Sequence, residues 1–168
     1  MKAEKFDVRK FINTYMMEII LAIICVVVAF TADGFFTVSN ILGILRSSAL
    51  KGVIAFGMTM VIICGEIDLS ISSTVALSGI IAATIAGKLD AAGVMSIDTG
   101  IWLGMLVAFL VAALIGFVNG YIRTRYNIPT FIITLAMMNV IYGLAAIISK
   151  GFPVTTLPSW YNAVSYTH

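Results

Sequence analysis

The chain has 168 residues, of which 61% are apolar and only 11% charged, and its mean hydropathy is +1.08. Ordinary water-soluble domains carry about a quarter of their residues as charges, so this chain lacks the polar groups to coat a water-facing surface. Its net charge of +2 is too small to indicate nucleic acid, and the composition points instead to lipid as the surrounding solvent.

The charges are also segregated. Uncharged runs occupy 19–32, 52–65, 69–87, 99–122 and 126–149. A helix needs about 20 mainly apolar residues to cross a hydrocarbon core about 30 Å thick. The last three runs meet that length, and the first meets it with Met16, Met17, Phe35 and Phe36 flanking it. The alternation of a membrane β-barrel is missing. The reading is an all-α, polytopic transmembrane helix bundle of about five spans, forming a single membrane domain over residues 1–168.

In chain order, residues 1–15 form a short amphipathic lead, with Phe6, Val8, Phe11 and Ile12 among charges. The first span covers 16–36 and is read as a membrane anchor, because Thr31-Ala32-Asp33-Gly34 makes a poor signal-peptide cleavage site. Residues 37–40 are predicted to turn and cap a helix. Residues 41–51 mix Ile41, Leu42, Leu45 and Leu50 with Arg46, Ser47, Ser48 and Lys51, the pattern of a helix lying in the interface. A short apolar segment, 52–64, then leads through Gly65-Glu66-Ile67-Asp68-Leu69-Ser70 into the next span at 70–87. This predicts a broken or short hairpin around 52–87. Span four covers 99–122 and closes on Arg123 and Arg125, where a helix dipole favours cations. Pro129 is placed in the first turn of span five, which ends near Ser149. Residues 150–168, with Trp160 and Tyr161, read as an interfacial tail. Lys2, Lys5, Arg9, Lys10, Arg123 and Arg125 fall on one side and Arg46, Lys51, Lys88 and Lys150 on the other, a 6 to 4 division of the ten basic residues. The positive-inside rule then puts the N-terminus in the cytoplasm.

Small residues at four-residue spacing, Ala108, Ala112, Gly116 and Gly120, predict close helix packing on span four, and Ser78, Ala82 and Ala86 repeat the spacing on span three. Asn119 and Asn139 are amides inside apolar spans and must find partners there. They either line a polar path or bond between helices, Asn139 being the stronger path candidate. Glu66 and Asp68 also have two readings. In one they sit at depth in a broken helix lined by protein or water. In the other they stand in a plain turn where Asp68 caps the following helix. Cys25 and Cys64 read as small packing residues. His168 is the single histidine, and HExxH, CxxC, nucleophile-elbow and phosphate-loop patterns are all absent. No catalytic residue, metal site or bound cofactor is predicted.

Three blocks carry a resemblance. The first joins Ile41-Leu42-Gly43-Ile44-Leu45-Arg46, Gly57-Met58-Thr59-Met60-Val61-Ile62-Ile63 and Gly65-Glu66-Ile67-Asp68-Leu69-Ser70. The second joins Gly116-Phe117-Val118-Asn119-Gly120 to the run from Ile128-Pro129-Thr130 through Thr134 to Met138. The third joins Tyr142-Gly143-Leu144-Ala145 to Gly151-Phe152-Pro153-Val154. In order and spacing they are similar to the permease subunit of ribose-type ABC importers. The resemblance implies a multi-pass subunit of the bacterial cytoplasmic membrane that moves a monosaccharide or sugar-like solute and has no ATPase site of its own. Its implied partners are a cytoplasmic ATPase that binds ATP, a periplasmic or lipid-anchored binding protein, a second permease copy and membrane lipid. Motif positions and path candidates together are Gly65, Glu66, Asp68, Leu69, Ser70, Asn119, Pro129, Thr134 and Asn139, of which Asn139 comes from its place as an amide in an apolar span and not from the resemblance. Glu66 departs from the family, which favours glycine there, and so does Ser72-Ser73 where Gly-Ser is usual. Family members are longer and carry an ATPase-docking loop in their later half, so the chain is expected to correspond to the N-terminal half.

The competing classes are a branched-chain amino-acid permease, an ion-coupled carrier using Glu66 and Asp68 directly, and a non-transporting membrane assembly protein. All share one expectation. The purified chain stays dispersed only in detergent or bilayer, and a monodisperse, helical sample in plain buffer would contradict every reading above.

Overall fold

A computed structural model describes residues 8–155 and 157–160. Lys2, Lys5 and Phe6 of the lead and Tyr161 and His168 of the tail lie outside the described residues. Within them the chain is helical and has no strand. The helices are α1 (Val8–Thr14), α2 (Met16–Thr31), α3 (Val38–Ile63), α4 (Ile71–Ala91), α5 (Ile97–Tyr126) and α6 (Thr130–Ser149). Among the described residues α3 to α6 are each long and apolar enough to cross a membrane, while α2 is apolar but shorter. The all-α, polytopic membrane architecture read from the hydropathy pattern therefore holds.

The chain divides into two compact units, Met1–Val53 and Ile54–His168. In the first, i to i−4 bonds run through the bend at Tyr15, from Tyr15 N–H to Phe11 O and from Ile19 N–H to Tyr15 O. Helical bonding thus links α1 to α2. The first span stops at Thr31, short of the expected residue 36, because Gly34 takes a left-handed turn (φ +85°). Thr37 then caps α3, within the 37–40 stretch expected to do so: its Oγ1 accepts from the Asn40 N–H at 3.3 Å. Asn40 also donates its Nδ2 to Phe35 O at 2.7 Å.

The largest difference from expectation is α3. The interfacial segment at 41–51 and the short apolar segment at 52–64 are one helix of 26 residues, about 39 Å long at 1.5 Å per residue. Gly52 does not break it, since a lone glycine costs a helix only about 1 kcal/mol and no proline is present. The break comes at Gly65, which is left-handed (φ +74°). Gly65 N–H bonds Ile62 O at 2.9 Å and Glu66 N–H bonds Val61 O at 3.1 Å, the paired bonds of a Schellman stop. The turn expected near 64–70 is therefore real, but the segment before it is long.

In the second unit α4 packs on α5 and α6, and α5 also meets α6. The α4–α5 contact is the tightest. Gly104 lies so close to α4 that an added Cβ would stand 2.4 Å from Ala82 O, and at Gly100 it would stand 3.3 Å from Ala86 Cα. Ala82, Ala86, Ile101 and Ala108 form the buried seam. Leu77, Ile141 and Ala145 join α4 to α6, with Val111 and Ile115 of α5 against them. Ala108 thus sits in the seam, and Ala112 is half-buried beyond it. Gly116 and Gly120 are exposed, with open space where a Cβ would stand. The four-residue stripe on α5 continues toward the N-terminus through Gly104 and Gly100, and that end makes the close approach. Pro129 is the residue before α6, one position earlier than expected.

Because Gly104 faces the Ala82 backbone and Gly116 faces open space, the two positions should respond differently. Gly104→Ala is expected to lower stability in detergent by about 1–3 kcal/mol through overpacking. Gly116→Ala should be neutral or slightly stabilising, and thermal unfolding of both variants checks the contrast.

Candidate functional site

The break between α3 and α4, residues 64–70, has no helical ladder to satisfy its backbone. In a lipid-facing protein each such group needs an internal partner. Thr134 on α6, only 1% exposed, supplies one. Its Oγ1 accepts from the Leu69 N–H at 3.1 Å and directs its own proton to Thr130 O at 2.9 Å, with Ile67 O at 3.3 Å. Ser70, immediately before α4, supplies the next. Asp68 Oδ1 accepts both the Ser70 N–H at 2.7 Å and the Ser70 Oγ–H at 2.6 Å. Ser70 O accepts from Ser73 Oγ at 2.7 Å and Thr74 Oγ1 at 2.9 Å. Asp68 therefore works as a local brace on the residue that opens α4.

Asn119 on α5 completes this group from across the bundle, with its Nδ2 3.2 Å from Ser70 Oγ. The direction of that bond is fixed by chemistry. A hydroxyl has one proton, and that of Ser70 goes to Asp68, so Ser70 Oγ can only accept from Asn119. The amide nitrogen must face Ser70, and the Oδ1 must face away. That Oδ1 is closed to solvent and has no hydrogen-bond partner. Asn119 as a whole is 5% exposed.

Glu66 ties the same turn to two other helix ends. Its Oε1 accepts from Arg123 Nε at 2.8 Å, an ion pair between half-buried side chains, and its Oε2 accepts from the Thr130 hydroxyl. Arg123 in turn donates through Nη1 to Asn127 Oδ1 at 2.9 Å, just past the end of α5. The carboxyl of Glu66 is held below the usual carboxylate range, first by the Thr130 hydroxyl and then by the Arg123 N–H. Desolvation opposes this and the Arg123 charge adds to it.

The turn, α5 and α6 enclose an open cleft of about 320 Å³, walled by Met60, Val61 and Cys64 from the end of α3, by Gly116, Asn119 and Gly120 of α5, and by Thr130 and Thr134 of α6. Asp68, Glu66 and Arg123 complete its lining. A second hollow of about 290 Å³, reaching Asn127 and Pro129, shares Glu66, Arg123 and Thr130 with it. Of the residues selected from sequence, Gly65, Glu66, Asp68, Leu69, Ser70, Asn119 and Thr134 meet in this region, and Pro129 borders the second hollow. Asn139 stands apart on an exposed face of α6, where its Nδ2 bonds Leu135 O of its own helix at 2.9 Å. Two participants went unselected: Arg123, read only as a charge at a helix end, and Thr130, which appeared only within a motif. A signal for Arg123 was present, since a carboxylate near a membrane turn calls for a cation. Among the described residues no group of three or more His, Cys, Asp or Glu is placed to hold a metal ion.

Residues 40–167 match the family described as the branched-chain amino acid transport system / permease component. Among curated proteins, the chain is 34% identical over 155 residues to the ribose import permease protein of Haemophilus influenzae, covering 92% of this chain and 45% of that protein. It is 33% identical over 152 residues to the ribose import permease protein of Escherichia coli, covering 88% and 44%. To the L-arabinose ABC transporter permease protein of Azospirillum brasilense it is 36% identical over 140 residues, covering 83% and 39%. The chain thus spans a little under half the length of these relatives. No solved structure matches it.

The lowered pKa of Glu66 fixes a pH signature. Its contribution is complete above the ordinary carboxylate range and is lost as pH falls through the lowered value in the folded protein. The unfolding temperature in detergent should therefore drop on acidification. Glu66→Gln should start lower and lose that step, whereas an unchanged pH profile in the variant would contradict the pairing.

Proposed function

The chain belongs to the permease-component family of branched-chain amino acid transport systems, and on that premise we propose that it is a membrane-spanning permease subunit of an ABC importer for a neutral monosaccharide or sugar-like solute. The carrying observation is the similarity across most of this chain to relatives named for ribose and L-arabinose import. The substrate class comes from those names. The geometry supports it through a turn between two spans whose hydrogen-bonding side chains line a cleft in an otherwise apolar bundle.

In this reading the protein performs no covalent chemistry. A cytoplasmic partner binds and hydrolyses ATP, a binding protein delivers the solute, and a second permease copy completes the path in the cytoplasmic membrane. The N-terminus and the Arg123–Arg125 end of α5 face the cytoplasm. Gly65, Glu66, Asp68, Leu69, Ser70, Asn119, Pro129 and Thr134 form the wall of the path, and Asn139 joins it only where a further helix covers its face of α6.

An ion-coupled carrier is the weaker reading. A carboxylate that carries protons at neutral pH needs a raised pKa, and Glu66 is shifted the other way by Thr130 and Arg123.

Uptake of labelled D-ribose or L-arabinose by cells expressing the chain with the ATPase and binding protein of a ribose-type importer tests the proposal. Uptake should continue when an uncoupler collapses the proton gradient while ATP is maintained. Uptake of branched-chain amino acids alone, or loss of sugar uptake under that treatment, would overturn it.

A further inference from the structure

Of the two buried side-chain polar atoms without a hydrogen-bond partner among the described residues, Thr84 Oγ1 and Asn119 Oδ1, only Asn119 Oδ1 belongs to a residue that lines the cleft. It is buried and has no donor, although a buried amide oxygen is ordinarily satisfied. The orientation of its amide is not adjustable, because the Asp68–Ser70 bond consumes the only proton Ser70 has. Exchanging the amide oxygen and nitrogen would place two acceptors face to face. The group that satisfies this oxygen must therefore bring its own hydrogen.

Asn119 is a wall of the cleft between the end of α3, α5 and α6. Met60, Val61 and Cys64 make the opposing wall, from the one long helix that forms no helix–helix pair among the described residues. A wall held by few contacts is one that opens at low cost, and Gly116 and Gly120 leave the α5 backbone uncovered beside it. The electrostatics select the ligand. Glu66 and Arg123 neutralise one another, and Asp68 leaves the lining with a surplus negative charge, which disfavours an anion. Both carboxylates are already hydrogen-bonded, and the α3 wall cannot solvate a full positive charge. A hydroxyl donor on a neutral body meets these conditions, and a sugar's C–H face suits the apolar wall.

We propose that this cleft is a binding subsite for a neutral polyhydroxylated solute, one hydroxyl of which donates to Asn119 Oδ1 once the end of α3 moves outward. This rests on the sugar-permease reading and deepens it by placing one solute contact on α5.

Cys64, an exposed free thiol, lines the cleft and reports on it without any substitution. In membranes holding the assembled transporter, N-ethylmaleimide alkylation of Cys64 is followed by mass spectrometry, with Cys25 as internal control. D-ribose or L-arabinose at about ten times its dissociation constant should slow Cys64 alkylation about tenfold by mass action and leave Cys25 unchanged. Asn119→Leu should abolish the protection, and Thr31→Val, at an exposed residue bonded only to its own helix, should keep it. If Asn119→Leu fails to fold, the unsubstituted chain still decides. Sugar uptake with no protection of Cys64 would overturn the subsite and leave the transport reading standing. Protection by L-leucine in place of either sugar, or absence of both uptake and protection, would overturn both.

Discussion

The turn between two span-length helices leaves backbone groups without a helical ladder, and the arrangement of this chain follows from how residues 64–70 meet that demand. Gly65 closes α3 on itself with two backbone bonds. Thr134 takes the Leu69 N–H, Asp68 takes that of Ser70, and Asn119 reaches across to the Ser70 hydroxyl. Thr134 and Asn119 come from distant places in the chain, so the turn is completed only by the packed bundle, and once formed it holds the start of α4 against both α5 and α6.

This polar knot occupies one end of α5. The other end is held by contact between backbones, at Gly100 and Gly104 against Ala86 and Ala82. The two devices differ physically. Close apolar packing is strong because many weak contacts add at short range, and it tolerates no added volume. Hydrogen bonds between side chains are few, directional and exchangeable with a ligand that offers the same groups. One end of α5 is consequently rigid. The other has a cleft and the buried oxygen without a donor. Where a protein must hold its shape and also admit a solute, separating these two kinds of contact along one helix allows both.

The sequence made the helical, lipid-facing class plain because composition and charge-free runs report the solvent directly. It also placed α4, α5 and α6 well, since charges at Lys88, Arg123 and Lys150 bound their apolar runs. It misjudged α3, where Arg46 and Lys51 made half of a continuous helix read as interfacial. Hydropathy registers such charges, while the backbone ladder runs on regardless of them. In the site, Asp68, Ser70, Asn119 and Thr134 were visible as polar residues in apolar surroundings. Arg123 and Thr130 were not, because their pairing with Glu66 spans 57 and 64 positions of chain. Asn139 carried the same signal as Asn119 and yet bonds its own helix. The type of residue says that a partner is needed, and only the packing says whether it lies one turn away or across the bundle.

Glu66 gives the sharpest instance of that distinction. A carboxylate at a membrane turn invites a role in ion movement, because burial alone raises its pKa and lets it pick up protons. Here the neighbours outweigh burial: the Thr130 hydroxyl and the Arg123 N–H both stabilise the charged form. The same bonds join the α3–α4 turn to the end of α5 and the start of α6. A charge that stays on the protein through the neutral range can orient its neighbours and neutralise Arg123, but it cannot carry a proton across and let it go. The physical role that remains for Glu66 is a fixed electrostatic staple beside the cleft.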